Sequence, residues 1–260
     1  MRLQVLLSVM NQKDHSIVKK ANLQTDAIIV NQTDEFKSEK FSHNGSEIHF
    51  LSFDEKGVGL SRNNALMRST ADIAVFGDED IRYVDGYEEV ILKEFKNNPK
   101  ADMVVFNVPS DNPDRPTYHI SKRTRVRVHN SLRYGAVKMA IRPDRIKKKN
   151  IYFSLLFGGG AKYSSGEDSL LIYSVLKSGL KVYASPEVIG YVSQEDSTWF
   201  TGYTDKFFVD KGVLFGSLSP KLSYVLCLQY VMRKYGTFDT DKSRREVYML
   251  IRRGIQIARS

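Results

Sequence analysis

The 260-residue sequence predicts an α/β fold, a mostly parallel sheet flanked by helices with a C-terminal helical extension. Three observations predict it. Apolar runs of strand length alternate with polar stretches long enough for helices through residues 1–108. The composition is globular, with 42% hydrophobic and 27% charged residues. From residue 221 onward apolar groups alternate with arginine and lysine instead.

The first run, Leu3 to Val9, reads as a buried strand, because it is far shorter than the roughly 20 residues a spanning helix needs. No signal-peptide cleavage pattern follows it. Further strands are predicted at Ala27–Val30, Ile48–Leu51, Ile73–Phe76 and Met103–Val108. Good helix formers around Ala65 to Met67 place a helix over Val58 to Ser69, with Gly57 and Gly59 at its start. Asp85 stands where a carboxylate caps a helix running to about Lys96, which Asn97-Asn98-Pro99 ends.

Pro109 to Pro116 is a loop, and it divides a domain of residues 1–218 into halves 1–108 and 109–218. Gly158-Gly159-Gly160 then begins a flexible segment leading to Glu167-Asp168, which head an apolar-periodic helix that Gly179 terminates. Strands follow at Lys181–Ala184 and Val188–Val192. Residues 219–260 read as a basic amphipathic tail of two helices joined near 236–241. Such helices either lie in an anionic lipid surface or cap the core.

The single cysteine, Cys227, forms no internal disulfide, fits a reducing compartment and reads as a buried thiol. The +9 net charge favours an anionic partner. Cations crowd a middle stretch from Lys122 to Lys149 and a second group from Arg233 to Arg253. The five histidines share no ligand spacing and read as surface or loop residues, with contact to an acceptor phosphate the other reading of His129.

Chemistry concentrates in Gly77-Asp78-Glu79-Asp80, three acids directly after an apolar strand. Ligands of open α/β sheets bind at the carboxyl ends of strands. Adjacent carboxylates repel unless a cation joins them, and Mg²⁺ or Mn²⁺ suits carboxylate and phosphate oxygens. An acidic solvent-facing turn is the other reading. Glu167 and Asp168 are either catalytic acids or partners of the helix dipole.

The run from Lys56 to Leu66, then Ala71-Asp72-Ile73 and the acidic triplet, resembles inverting family 2 glycosyltransferases of the GT-A fold. Gly166-Glu167-Asp168-Ser169-Leu170 resembles that family's Glu-Asp motif, with a helix, Gly179, a strand and Pro186 following in order. The likeness covers residues 3 to about 200. It implies that Asp80 binds the metal bridging a donor diphosphate, that Asp78 holds ribose or the metal shell, and that Glu79 is the variable centre. Asp168 is the expected base, with Glu167 orienting the acceptor or supporting it. Ser8, Val9, Asn11, Asn31 and Asp34 match the donor-binding positions, although Asn31 and Gln32 replace the expected acids. Arg62 reaches the diphosphate or base edge, or forms a surface ion pair.

No histidine follows the last strand, where Gln194 or Glu195 stands instead, and Trp199 either stacks on an acceptor sugar or packs. The implied partners are a nucleotide-diphosphate sugar, by default a UDP-sugar, a glycan acceptor carried on polyprenyl diphosphate, and an anionic membrane surface. Nucleic acid is not an expected partner. The implied place is the cytoplasmic side of the cell membrane, in bacterial surface polysaccharide synthesis. A nucleotidyltransferase is the enzymatic rival, though Ser8 to Lys13 lacks its Gly-rich phosphate loop. A nucleic-acid-binding module is the other, supported by the basic stretches and by abundant Tyr and Phe, though no recognised nucleic-acid signature is present.

Overall fold

The computed structural model describes residues 1–194 and 202–260. Glu195 and Trp199 therefore lie outside the described residues. The chain runs β1 (Leu3–Met10), α1 (Ser16–Lys20), β2 (Asp26–Thr33), β3 (Lys37–His43), β4 (Ser46–Asp54), α2 (Val58–Arg68), β5 (Ile73–Asp78), β6 (Ile81–Tyr83), α3 (Tyr87–Asn97) and β7 (Met103–Asn107). An irregular connection leads to β8 (Thr124–Val126), β9 (Met139–Ile141), α4 (Pro143–Lys147), α5 (Glu167–Lys177), β10 (Val182–Val188) and β11 (Gly190–Val192). Three helices follow, α6 (Asp205–Leu218), α7 (Ser223–Lys234) and α8 (Arg244–Ile257).

Nine strands form one sheet in the order β3-β4-β2-β1-β5-β9-β7-β10-β8. It is mixed rather than wholly parallel. Neighbours β4, β2, β1 and β5 run parallel, whereas β3, β9 and β8 pair antiparallel with their neighbours. β6 and β11 make a separate two-stranded sheet. Alternate side chains of β1 explain the layering. Val5, Leu7 and Val9 enter a core with Ile17, Tyr87, Ile91 and Phe95 of α1 and α3. Leu6 points the other way, toward Ala65, Leu66, Leu171 and Val175 of α2 and α5.

A third core lies among α6, α7 and α8, where Phe208, Leu214, Cys227, Val231, Val247 and Ile251 are buried. Phe157 belongs to it, and Tyr163, Leu170 and Tyr173 pack against it. The helices therefore share a core with the loop before α5 and with α5 itself. The two helices expected within 221–260 are α7 and α8. Asp85 does not cap α3: Gly86 occupies that position, and Asp85 instead accepts from Asn22 and Gln24 at 3.0 and 2.6 Å.

Candidate active site

The strand register brings the site residues to one edge. Ser8 of β1 lies between Val30 of β2 and Asp78 of β5. Ser61 of α2 donates to the Ser8 hydroxyl at 3.0 Å. Val9 is wholly buried in the core.

The next residue of α2, Arg62, is 4% exposed. Its Nη2 donates to both oxygens of Asp78, at 2.9 and 2.8 Å. Its Nη1 donates to Glu167 Oε1 at 3.0 Å and Asp168 Oδ1 at 3.1 Å. Asp78 at the end of β5 and the two acids heading α5, some ninety residues apart in sequence, thus meet on one guanidinium. The ion pairs of Arg62 are buried rather than on the surface.

Burial would lower the Arg62 pKa, but Asp78, Asp168 and Glu167 outweigh it and keep the group charged. One cation faces three carboxylates, so the excess negative charge falls on the acids. Burial raises the Asp168 pKa most, Glu167 raises it further, Arg62 pulls it back and Asp78 raises it again. The net position is well above the ordinary carboxylate range. Asp168 Oδ2 lies near Gly135, where an added Cβ would sit 3.5 Å away, and the Ala136 backbone N–H bonds to the same carboxylate and lowers its pKa.

Asp80 follows two residues after Asp78. Its pKa is raised by burial and then by Asp78, while the Gln194 backbone N–H lowers it. Gln194, in the left-handed region at φ 49°, thus stands beside Asp80 where a histidine was sought. Glu79 accepts the Met10 N–H at 3.1 Å and fastens the acidic turn to the end of β1. Among the described residues, no three His, Cys, Asp or Glu side chains are grouped to hold a metal.

Beyond the ends of β1 and β2 a cavity of about 660 Å³ is lined by Asn11, Asn31, Thr33, Asp34, Phe50 and Ser52, among others. Asp34 is exposed there. Asn31 is not free within it: its carbonyl accepts the Gln12 N–H at 3.0 Å, and its amide donates to Gln12 O and Ser52 Oγ at 3.0 and 3.2 Å. Gln32 accepts the Gly57 N–H at 2.7 Å and anchors the start of α2. The two amides standing where acids were expected are therefore loop fasteners.

The turn before α5 is built to a tight tolerance. Gly158, at φ 105°, lies so close to Glu167 that a Cβ would sit 2.8 Å from its carboxyl carbon. Asp210 of α6 accepts the Ser164 N–H at 3.0 Å and pairs with Lys206 at 2.5 Å. Lys206 also donates to Lys162 O at 3.0 Å. Sequence reasoning passed over Asp210. A lone acid inside an apolar helix, 5% exposed, was the available signal.

The basic middle stretch is not one cationic face. Arg123 pairs with Glu94 and Glu187, and Arg142 donates to Ala101 O at 3.0 Å. Lys138 is buried against Tyr118 O at 2.7 Å, with its pKa lowered to about 8 by burial. His129 stays exposed in a single 3₁₀ turn.

Solved structures share this architecture. S. aureus TarS 1–349 in complex with UDP-GlcNAc matches with TM-score 0.65 at 14% identity, over 93% of this chain and 74% of that one. S. aureus TarS matches with TM-score 0.63 at 13% identity, over 93% of this chain and 45% of that one. TarS 1–349 alone gives TM-score 0.62 at 11% identity, over 99% and 83%. No curated protein sequence matches significantly. The glycosyl transferase family 2 profile matches residues 4–160. That match spans more than half of the chain and places the protein in glycosyl transferase family 2, with the GT-A fold that the sequence predicted.

Proposed function

We propose that this family 2 glycosyltransferase moves a sugar, with inversion, from a nucleoside-diphosphate sugar onto a hydroxyl of a glycan acceptor. The observation that carries this reading is the meeting of Asp78, Glu167 and Asp168 on Arg62. It brings the acidic turn and the expected base to one place. A UDP-sugar is the donor we favour, because TarS, of the same fold, has been solved with UDP-GlcNAc and with UDP.

Asp34 and the cavity beside it offer room for the nucleoside. Asp80 is the carboxylate left to hold a divalent ion, since both Asp78 oxygens accept from Arg62. The donor set suits Mg²⁺ or Mn²⁺: a single protein carboxylate leaves the other positions to phosphate and water oxygens, as Mg²⁺ commonly requires. When bound, such an ion neutralises charge on the departing diphosphate, so no acid need protonate it.

Asp168 accepts the proton of the acceptor hydroxyl as that oxygen bonds to the anomeric carbon and the carbon–oxygen bond to the diphosphate breaks. Its raised pKa makes it a stronger base than an ordinary carboxylate. Arg62 holds Asp168 Oδ1, and the Ala136 backbone N–H also bonds to the carboxylate, so the base is oriented from two sides. Glu167, also on Arg62, supports that orientation. We place the acceptor on a polyprenyl diphosphate at the cytoplasmic membrane face, in surface polysaccharide synthesis, with an anionic bilayer as the third partner.

A thermal-shift screen of nucleotide-sugars with and without Mn²⁺ tests the reading. A ligand at 100 times its Kd adds about 2.7 kcal/mol of stability. We expect a metal-dependent rise in Tm with one UDP-sugar. No rise with any nucleotide-sugar, metal present, overturns the proposal.

A further inference from the structure

We infer that the outer face of α7 is the surface by which the protein lies on an anionic lipid bilayer. The inference deepens the proposed function and rests on its lipid-linked acceptor for a purpose, but its geometry stands on α7 alone. Ser223, Cys227 and Val231, spaced four apart, turn inward and are buried. On the opposite side Leu222, Val225, Leu228 and Met232 are 57, 61, 53 and 71% exposed. At 100° per residue, Val225, Leu228 and Met232 fall within an arc of about 60°. Leu222 continues the stripe at the helix start. The stripe is long enough to lie in a headgroup layer, and no helix among the described residues is long and apolar enough to cross a membrane.

The charge around the stripe selects the occupant. Lys221, Arg233 and Lys234 are exposed, and α7 carries no acid. None occurs anywhere between Asp210 and Asp239. Cations flank α8 as well: Arg259, just beyond its end, lies over Tyr224 at 4.7 Å, and Arg244 at its start lies over Tyr235 at 5.1 Å. Apolar groups flanked on α7 itself by cations alone, with Asp239 and Asp241 confined to the connection beyond it, fit acyl chains bordered by anionic headgroups. A second copy docked on the same face by two-fold symmetry would set Lys221 near the partner's basic end, cation against cation. Nucleic acid would leave the four apolar side chains without a partner.

The test is flotation of the full chain with phosphatidylglycerol–phosphatidylcholine vesicles and with phosphatidylcholine alone. We expect binding to the anionic vesicles and at least a tenfold weaker response without anionic lipid. Leu228→Gln with Met232→Gln should reduce binding tenfold or more at unchanged Tm, since both side chains are exposed. Arg233→Gln with Lys234→Gln should reduce it comparably for anionic vesicles only. Undiminished binding by the Leu228/Met232 variant overturns the inference. So does sedimentation showing a dimer that this variant dissolves, with no vesicle binding by either form. Donor-dependent transfer to a soluble acceptor analogue, without vesicles, separates the two readings. Turnover without vesicle binding removes the α7 surface alone, and vesicle binding without turnover removes the transferase reading alone.

Discussion

Arg62 carries more of the site than any other side chain, because its five fixed donors let one cation hold three carboxylates from two distant segments. Lysine has the charge but not the fork. We expect Arg62→Lys to lower stability by roughly 3–5 kcal/mol, the cost of breaking buried ion pairs, measured by urea unfolding. Asp80→Asn should abolish turnover while acceptor binding, measured by calorimetry, stays within a few-fold. Asp168→Asn should lower kcat by about 10²–10⁴, the usual worth of a general base. The pH profile adds a separate check. The base must be ionised, so kcat/KM should climb with pH through a pKa above ordinary carboxylate values, and that limb should vanish in Asp168→Asn. Stability moves the opposite way. A carboxyl whose folded pKa is raised binds its proton more tightly when folded, so its contribution is full at low pH and is lost as pH rises through the folded pKa. Asp168→Asn should accordingly gain Tm relative to the parent at neutral and alkaline pH but not at acidic pH. The sequence made Asp78, Asp80, Glu167 and Asp168 visible through their motifs. It did not show the hub, because nothing local in Ser61-Arg62-Asn63 says that an arginine on a helix turns inward. Nor did it show that the Asn31 and Gln32 amides, standing where acids were expected, secure Gln12 and Gly57.

Among the elements, α6 and α8 make the closest helix contact, and two glycines permit it. A Cβ on Gly212 would lie 1.9 Å from Ile251 O, and one on Gly254 would lie 2.0 Å from Val209 O. Gly212→Ala and Gly254→Ala should each force the helices apart and cost about 1–3 kcal/mol or more, read as a lower urea midpoint. The five predicted strands at Leu3, Ala27, Ile48, Ile73 and Met103 are all present, because continuous apolar runs buried on both faces need no tertiary information. β3, Lys37-Ser38-Glu39-Lys40-Phe41-Ser42-His43, escaped notice because an exposed edge strand alternates polar groups on both sides. β8 and β9, three residues each, exist only through their pairing with β10, β5 and β7. Residues 181–192 read as two strands and are two strands, but β11 leaves the main sheet to pair with β6, a choice that pattern cannot express. The α6 helix went unassigned because Phe207-Phe208-Val209 reads equally as strand or helix until its partners are known.

At the scale of the whole molecule, the decisive fact is that the helical extension and the expected base are mechanically one piece. Leu214 of α6 fills the space beside Gly166, where a Cβ would lie 2.7 Å from its Cδ1, and Asp210 holds the Ser164 N–H. Lys211 on the next position lies close enough for Glu167 and Asp210 to support its charge against burial. α6 in turn rests on α8 and α7, whose Val247, Ile251, Ile255, Cys227 and Val231 complete its core. Deleting residues 220–260 therefore exposes the inner face of α6, with Phe208, Val213 and Phe215, rather than trimming a detachable tail. We expect that truncated chain to lose turnover even on a soluble acceptor, and hydrogen exchange across residues 158–168 to quicken. Asp210→Ala, which keeps every helix but removes the tie to Ser164, should do the same more mildly, lowering kcat about tenfold with the donor KM unchanged. If the truncated chain turned over a soluble acceptor at the parent rate, α6 to α8 would be an appendage and the route from the helices through Asp210 to Asp168 would carry no catalytic consequence.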